Sequence, residues 1–521
     1  MPYDRQAEIR SPLPYTAAKT ASDFGGSMKI LMVTAEAVPF AKTGGLADMV
    51  SALALSLSKL GHDVKIVMPR YYRIDRKKLQ AIPGPLAVAA GTSESWVGVY
   101  ESTLPSSKVA VYFLDHEGAF GRDGVYGTQA ETDFHDNPYR FSLLCHGAFQ
   151  LCRKLGWCPD IVHAHDWSAS LAPIILKHVI RNGFFAKTAS VLTIHNLGYQ
   201  GQYAKDWFPS LGIHWGLYYG AGLEHNGGIN LLQGGISCAD MITTVSPTYA
   251  KEIQTAEGGF GMDGLLRVRG DVVRGILNGI DEDVWNPKTD TLIPVHYDET
   301  SLEKKAVCKR ELQKRMKLPE DDAVPVIGIV TRLADQKGIA ELFAPTYGCM
   351  YRLCSEIDVQ VAILGSGEKW CENEILSLQS KLPNMRAYIG YDESLSHLIE
   401  AGSDLFLMPS KYEPCGLNQM YSLLYGTLPI VRRTGGLADT VEQYDEKTGE
   451  GTGFMFDDLT PDSVFDTCGW AVYAYYNKKE HITEMRKRGM KKDFSWKKSA
   501  EQYVAVYKEA LARGAGIGNS R

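Results

Sequence analysis

No apolar run in the 521 residues reaches the ~18 needed for a membrane-spanning helix. The first 27, MPYDRQAEIRSPLPYTAAKTASDFGGS, lack the apolar core of a secretory signal, and Asp4, Glu8 and Asp23 weaken a transit-peptide reading that would direct the protein to a plastid. No C-x-x-C pair occurs among the ten cysteines, which are scattered singly from Cys145 to Cys468, so neither a structural zinc site nor a redox dithiol is signalled. Such dispersed thiols suit a reducing cytoplasm better than a disulfide framework. The zinc motif H-E-x-x-H is absent, as is the phosphate loop G-x-x-x-x-G-K followed by Ser or Thr. GSGEKW (365–370) lacks the third glycine of a dinucleotide fingerprint, which disfavours a standard NAD site. Positive charge is not in excess either: a formal net charge of −6 argues against a protein that coats nucleic acid, while leaving room for a local basic pocket. These absences predict a cytoplasmic protein with no bound metal, no nucleic-acid partner and no membrane contact. They say nothing of oligomeric state.

What is present is an ordinary globular composition, 45% hydrophobic and 22% charged, in a chain too long for one typical core. KILMVTAEAV (29–38) is an apolar run of strand length. Leu46, Val50, Leu53, Leu57 and Leu60 then recur at helical spacing, Gly61 stops the helix, and DVKIVMP (63–69) reads as the next strand. This is a βαβ unit, which makes the strands parallel and the crossover right-handed. DIVHAHD (160–166), SVLTIHN (190–196) and DMITTVS (240–246) continue the alternation. After about residue 273 the pattern starts over with VPVIGIVTR (324–332), VQVAILGSG (359–367), DLFLMPS (404–410) and LPIVRRTGG (428–436). The reading is an α/β protein of two doubly wound, Rossmann-like domains, residues 28–272 and 273–490, followed by a C-terminal segment 491–521. Residues 1–27 are expected to be a flexible extension, or to precede a functional start at Met28. The segment 281–323, rich in Asp, Glu, Lys and Pro, reads as a connecting region on the second domain.

KTGGLADMV (42–50) and RTGGLADTV (433–441) share an unbroken TGGLAD, each between a strand and a helix. Paired glycines let backbone N–H groups approach a ligand closely, and a helix start suits phosphate. The alternative is that the glycines serve only tight helix–sheet packing. In open α/β sheets ligands bind beyond the carboxyl ends of the strands. The residues expected to converge there are Lys42, Thr43, Gly44, Gly45, His163, His165, Asp166, His195 and Asn196 from the first half. From the second they are Arg332, Lys337, Glu413, Cys415, Thr434, Gly435 and Gly436. Arg332 and Lys337 can neutralise a diphosphate, by two-point contact and as a point charge, or be two solvated surface cations. His163 and His165 fall on one side of a strand. No third ligand motif accompanies them, which favours core or substrate-binding histidines over a metal site. Glu413, in KYEPCGL, offers a carboxylate to sugar hydroxyls, or merely starts a helix.

Nine segments in order, spread between Lys29 and Tyr507, resemble the bacterial glycogen synthase and plant starch synthase family of retaining glycosyltransferases. They are KTGGLADMV, HAHDW, TIHNLGYQGQY, TTVSPTYAKEI, GFGMDGLLR, GILNGIDEDVWNP, TRLADQKG, PSKYEPCGLNQMY and YGTLPIVRRTGGLADTV. The resemblance implies the GT-B fold: two Rossmann-like domains facing a deep interdomain cleft, acceptor on the first, nucleotide-sugar donor on the second, and a last helix crossing back. It implies transfer of glucose from ADP-glucose, a co-substrate and not a cofactor, to the non-reducing end of an α-1,4-glucan such as glycogen, with the α configuration retained. On that basis Glu413, His195, Asp166 and Lys42 are catalytic candidates. The implied donor-binding set is Lys42, Gly44, Gly45, Asp48, Asn196, Asn278, Arg332, Lys337, Tyr391, Cys415, Gly416, Leu417, Thr434, Gly435 and Gly436. The resemblance puts Arg332, Lys337 and the second glycine loop at the phosphates, Glu413 at the glucosyl group and Tyr391 near the adenine. Gln233, where the family often has Lys, and Thr331, for a common Ser, depart from the pattern outside its core motifs. The rivals are a UDP-glucose-using transferase, a glucan phosphorylase and a catalytically silent glucan-binding paralogue. No lysine motif for pyridoxal phosphate supports the phosphorylase, and the converging charges argue against the silent protein. Lys42 and Arg433 begin equivalent loops, yet only Lys42 is implied to touch the donor.

Overall fold

The computed structural model describes residues 26–128 and 130–516, so the expected N-terminal extension lies, up to residue 25, outside the described residues. Among the described residues the first half is built on a nine-stranded sheet. Its strands are β1 (Lys29–Val33), β2 (Asp63–Pro69), β3 (Gln80–Ala90), β4 (Ser93–Thr103), β5 (Ala110–Asp115), β6 (Ile161–His165), β7 (Ala189–Ile194), β8 (Met241–Thr244) and β9 (Val273–Gly275). They lie in the order β9-β8-β7-β6-β1-β2-β5-β4-β3, and all pair in parallel except β4 and β3. β6 and β7 are buried at every position, as befits strands covered on both faces. The β3–β4 extension was not legible as strands. β3, QAIPGPLAVAA, is a largely exposed edge strand that tolerates two prolines and needs no continuous apolar run. Helix α1 (Gly45–Lys59) buries Leu46, Val50, Leu53 and Leu57 as the spacing predicts, whereas Leu60 is its exposed C-cap.

The second half carries a six-stranded, all-parallel sheet among the described residues. Its strands are β10 (Val326–Leu333), β11 (Gln360–Gly367), β12 (Met385–Ile389), β13 (Leu405–Met408), β14 (Leu428–Arg432) and β15 (Phe454–Phe456), in the order β12-β11-β10-β13-β14-β15. The winding reverses between β10 and β13, and in the first sheet between β1 and β6. Those switch points are where crevices open beyond the strand ends.

Three short helices frame the region between the halves: α2 (Pro247–Glu252), α3 (Asn418–Leu424) and α4 (Gly435–Thr440). The longest, α5 (Trp496–Gly516), returns from the second half and packs along α1, with Tyr503 and Tyr507 buried in the first core. Its Tyr507 hydroxyl meets His163 Nδ1 at 2.9 Å. β9 lies just past the expected domain boundary at residue 272, because VRG is too short and glycine-broken to register as a strand. The two chain crossings run side by side: Ile280 N–H donates to Phe494 O at 2.9 Å. Val245, Ile280, Cys415 and Met420 form an apolar cluster beside them. In the connecting region, the Trp285 ring is stacked between His397 and Tyr421, with centroids 3.7 and 4.0 Å away. No helix of the described residues is long and apolar enough to cross a membrane.

Candidate active site

Beyond the end of β10, Arg332, Lys337, Ser410, Glu413, Gly416 and Leu417 line one cavity of about 200 Å³. Lys337 Nζ lies 2.5 Å from Glu413 Oε2, and Ser410 Oγ–H donates to the same oxygen at 2.9 Å. The lysine side chain is only 18% exposed and the glutamate 7%, so each charge depends on the other to be tolerated there. Gly416 adopts φ +71°, the left-handed turn that lets α3 begin at Asn418 with Leu417 as its N-cap. Cys415 is buried in the apolar cluster of the crossings, and burial pushes its thiol up to about 12, which removes it as a nucleophile. Asn278 is buried beside it, and its Oδ1 has no partner among the described residues. Tyr391 stands apart from this cavity lining, 80% exposed, with its ring open to stacking.

In the first half a residue outside the sequence candidates organises the glycine loop. Glu36 accepts hydrogen bonds from the Thr43 hydroxyl at 2.7 Å, the Tyr126 hydroxyl at 2.8 Å and the Thr43 backbone N–H. Burial raises its pKa above the usual carboxylate range, and those same hydrogen bonds offset only part of the rise. Gly44 is the N-cap of α1 and Gly45 its first residue. A Cβ added to either meets nothing within 4 Å. Packing therefore does not account for these two glycines; the space in front of them is open. Lys42 is 53% exposed and pairs with Asp48 at 2.8 Å, a surface contact weak enough to exchange for a ligand anion.

Asp166 follows β6 at φ +57°, an uncommon conformation for a residue other than glycine. Its Oδ1 accepts the His195 backbone N–H at 2.7 Å, tying the end of β6 to the end of β7. Burial raises its pKa to about 7, and the Glu36 carboxylate adds to the rise. His195 Nε2 lies 3.2 Å from His165 Nδ1, and burial holds the His195 pKa at about 3, so the ring is neutral at pH 7. His163 bonds Tyr507 and Thr193 and is held at about 3 by the same cause. The histidines of HAHDW thus act as neutral hydrogen-bonding groups of the core. Asn196 Oδ1 accepts Gly198 N–H at 3.0 Å, and its side chain also hydrogen-bonds Tyr412 of the second half.

The second TGGLAD is built differently. The Thr434 hydroxyl and Gly435 N–H both donate to Glu252 Oε1 at 3.0 Å, and Gly436 N–H donates to the Glu413 carbonyl at 3.0 Å. A Cβ on Gly435 would lie 1.9 Å from the Glu413 carbonyl oxygen, and one on Gly436 2.0 Å from that of Cys415. Here packing accounts for the glycines, and the N–H groups of Gly435 and Gly436 are engaged by Glu252 and the Glu413 carbonyl. Glu36, Tyr126, Glu252, Ser410 and Tyr412 escaped the sequence reading. Glu36 left a signal, as an acid inside the run KILMVTAEAV just before a glycine loop. Tyr126 and Glu252 left none, because their partners lie 90 and 182 positions away.

Residues 29–268 match the family model described as the starch synthase catalytic domain, and residues 310–471 match that of glycosyl transferases group 1. A glycogen synthase of Treponema denticola is 60% identical over 490 residues, covering 94% of this chain and 100% of that protein. Glycogen synthase 1 of Geobacter metallireducens is 44% identical, covering 94% and 97%. The solved catalytic domain of starch synthase IV from Arabidopsis thaliana, bound to ADP and acarbose, superimposes with a TM-score of 0.84 at 31% identity, covering 94% of this chain and 100% of that one. A sucrose-phosphate synthase from Thermosynechococcus elongatus, at 17% identity and a TM-score of 0.56, shares the fold alone.

Proposed function

This chain belongs to the bacterial glycogen synthase and plant starch synthase family, and from that premise we propose that it transfers glucose from ADP-glucose to the non-reducing end of an α-1,4-glucan, retaining the α configuration. The observation that carries the reading is the Lys337–Glu413 pair, set with Arg332 in one cavity at the switch point of the second sheet. The leaving nucleoside diphosphate develops negative charge as the glycosidic bond to phosphate breaks, and preorganised cations lower that barrier. Arg332 and Lys337 supply them, and Lys42 joins from the first half by leaving Asp48. When the diphosphate takes the Lys337 ammonium, Glu413 turns to the glucosyl hydroxyls.

Retention follows from a same-face displacement. The bond from the anomeric carbon to the phosphate oxygen breaks while the acceptor 4-oxygen bonds on the same face, and the departing phosphate oxygen takes the acceptor proton. Neutral His195 borders the oxocarbenium-like sugar. Glu413 is not the nucleophile in this route: once Lys337 has left it, the carboxylate is taken by the glucosyl hydroxyls while Ser410 still donates to its Oε2. Trapping a glucosyl ester on Glu413 by mass spectrometry would replace this route with double displacement. Closure of the halves over the donor excludes water and suppresses its hydrolysis. In this reading the protein works in the cytoplasm and needs no cofactor beyond its two substrates. The test is glucose incorporation into glycogen from ADP-glucose against UDP-glucose, with the product anomer determined. Dominant α-linked incorporation from ADP-glucose supports the reading; preference for UDP-glucose or no turnover overturns it.

A further inference from the structure

α2 of the first half and α4 of the second cap one another across the interface. The backbone N–H and hydroxyl of Thr248, near the start of α2, donate to the two oxygens of Asp439 in α4 at 2.8 and 2.7 Å. At the opposite end, Gly435 N–H and the Thr434 hydroxyl, at the start of α4, donate to Glu252, the last residue of α2. Each helix gives a carboxylate from its later turn to the first turn of the other. Hydrogen bonds of this charge-assisted kind are roughly twice as strong as neutral ones.

Two further observations fix what this contact does. It adjoins the chain crossings, because Val245, two residues before α2, packs with Ile280, Cys415 and Met420. It also bears on the donor carboxylate: Glu252 holds Gly435, the next residue's N–H holds the Glu413 carbonyl, and no room is left for a Cβ on either glycine. A first-half carboxylate thereby anchors the loop that carries the second half's Glu413.

We propose that α2 and α4 form the interdomain pivot, and that Glu252 is a positioning residue for glucosyl transfer, setting Glu413 and the closed geometry from the opposite half. The inference rests on the proposed transferase reading. Most of the proposed ADP contacts lie in the second half, with Lys42 reaching over from the first, whereas transfer needs both halves aligned. Breaking the pivot should therefore separate binding from turnover.

The experiment uses the full chain with Glu252→Ala, Glu252→Gln and Asp439→Ala. For each, one measures the ADP dissociation constant, the transfer kcat, and the fraction of ADP-glucose hydrolysed instead of transferred. Glu252→Ala is expected to lower kcat by about 10²-fold while ADP affinity stays within about twofold, since a misplacement near 1 Å has that effect on positioning. The hydrolysed fraction is expected to rise as the cleft admits water. Glu252→Gln, which keeps an acceptor oxygen, should fall between, and Asp439→Ala should reproduce the rise in hydrolysis. A folded Glu252→Ala with unchanged kcat and hydrolysis overturns the proposal, as does an ADP affinity that falls in step with kcat. If the parent does not transfer from ADP-glucose, the transferase reading is what fails. Small-angle scattering without substrates then decides the pivot: a broadened domain arrangement in Glu252→Ala supports it, and an unchanged profile overturns it.

Discussion

Lys337 and Glu413 stand 2.5 Å apart, both largely buried, in the cavity proposed for the donor diphosphate. The ammonium must therefore leave a carboxylate to take a phosphate. Glu413→Gln removes the competing charge. It is expected to tighten ADP binding by at least about threefold while lowering transfer about 10²-fold or more, the size of effect a misplaced or lost transition-state contact produces. Lys337→Ala leaves Glu413 buried without its cation, a loss of about 3–5 kcal/mol for a buried pair broken on one side. The double variant Lys337→Ala/Glu413→Gln should regain part of that stability. Titration calorimetry with ADP and thermal unfolding read both outcomes; weaker ADP binding in Glu413→Gln would refute the competition.

Glu36 is expected to behave as a site residue although it lies behind the loop. Glu36→Ala removes the acceptor for Thr43 and strands the Tyr126 hydroxyl, an unsatisfied buried group worth about 1–3 kcal/mol. Transfer should fall far more than stability, because the loop presenting Lys42 loses its anchor. Tyr126→Phe, which leaves the Thr43 bonds intact, should keep most activity. Comparable losses of kcat in the two variants would show that Glu36 matters only through Tyr126.

Asp166 gives a pH dependence of defined sign. Burial raises its pKa from 3.8 to about 7, so between those values the folded chain holds a proton that the unfolded chain has released. Its contribution to stability therefore falls as pH rises through that window and is least favourable above about 7. Asp166→Asn keeps an oxygen for the His195 N–H and tolerates the positive φ, but cannot ionise. Relative to the parent, this variant is expected to gain stability between pH 5 and pH 8. Denaturant unfolding at both values checks it, and a pH-independent difference would contradict the raised pKa.

Much of this was legible in the sequence wherever a residue's role is set by its own neighbours. β1, β6, β7, β10 and β13 are mostly buried runs rich in apolar residues, so their strand ends, and with them Asp166, His195, Arg332 and Glu413, could be placed at once. The β3–β4 edge escaped because a half-wet strand with prolines has no run to detect. Glu252 and Tyr412 escaped for another reason: they act on the far half of the molecule. The two TGGLAD loops show the limit most directly. Their letters are the same, yet one faces open space and the other is packed against Glu413, and only the tertiary surroundings separate them.

That separation yields the last prediction. Lys42 and Arg433 precede the same TGGLAD, and each is exposed and ion-paired, to Asp48 and to Asp457. A pair at that exposure contributes little to stability, so neither alanine variant should unfold the protein. The loops behind them differ. Gly44 and Gly45 border unfilled space that a ligand can enter, whereas the N–H groups of Gly435 and Gly436 are spent on Glu252 and Glu413. A cation beside the first loop can reach a phosphate bound in that space, whereas the N–H groups beside Arg433 are already engaged. Lys42→Ala is therefore expected to lower kcat/KM for ADP-glucose by about 10²-fold, as loss of a charge on the developing diphosphate does. Arg433→Ala should stay within about threefold, the range of an ordinary surface change. Steady-state kinetics of the two variants side by side make the comparison, and equal losses would mean that both loops serve the donor.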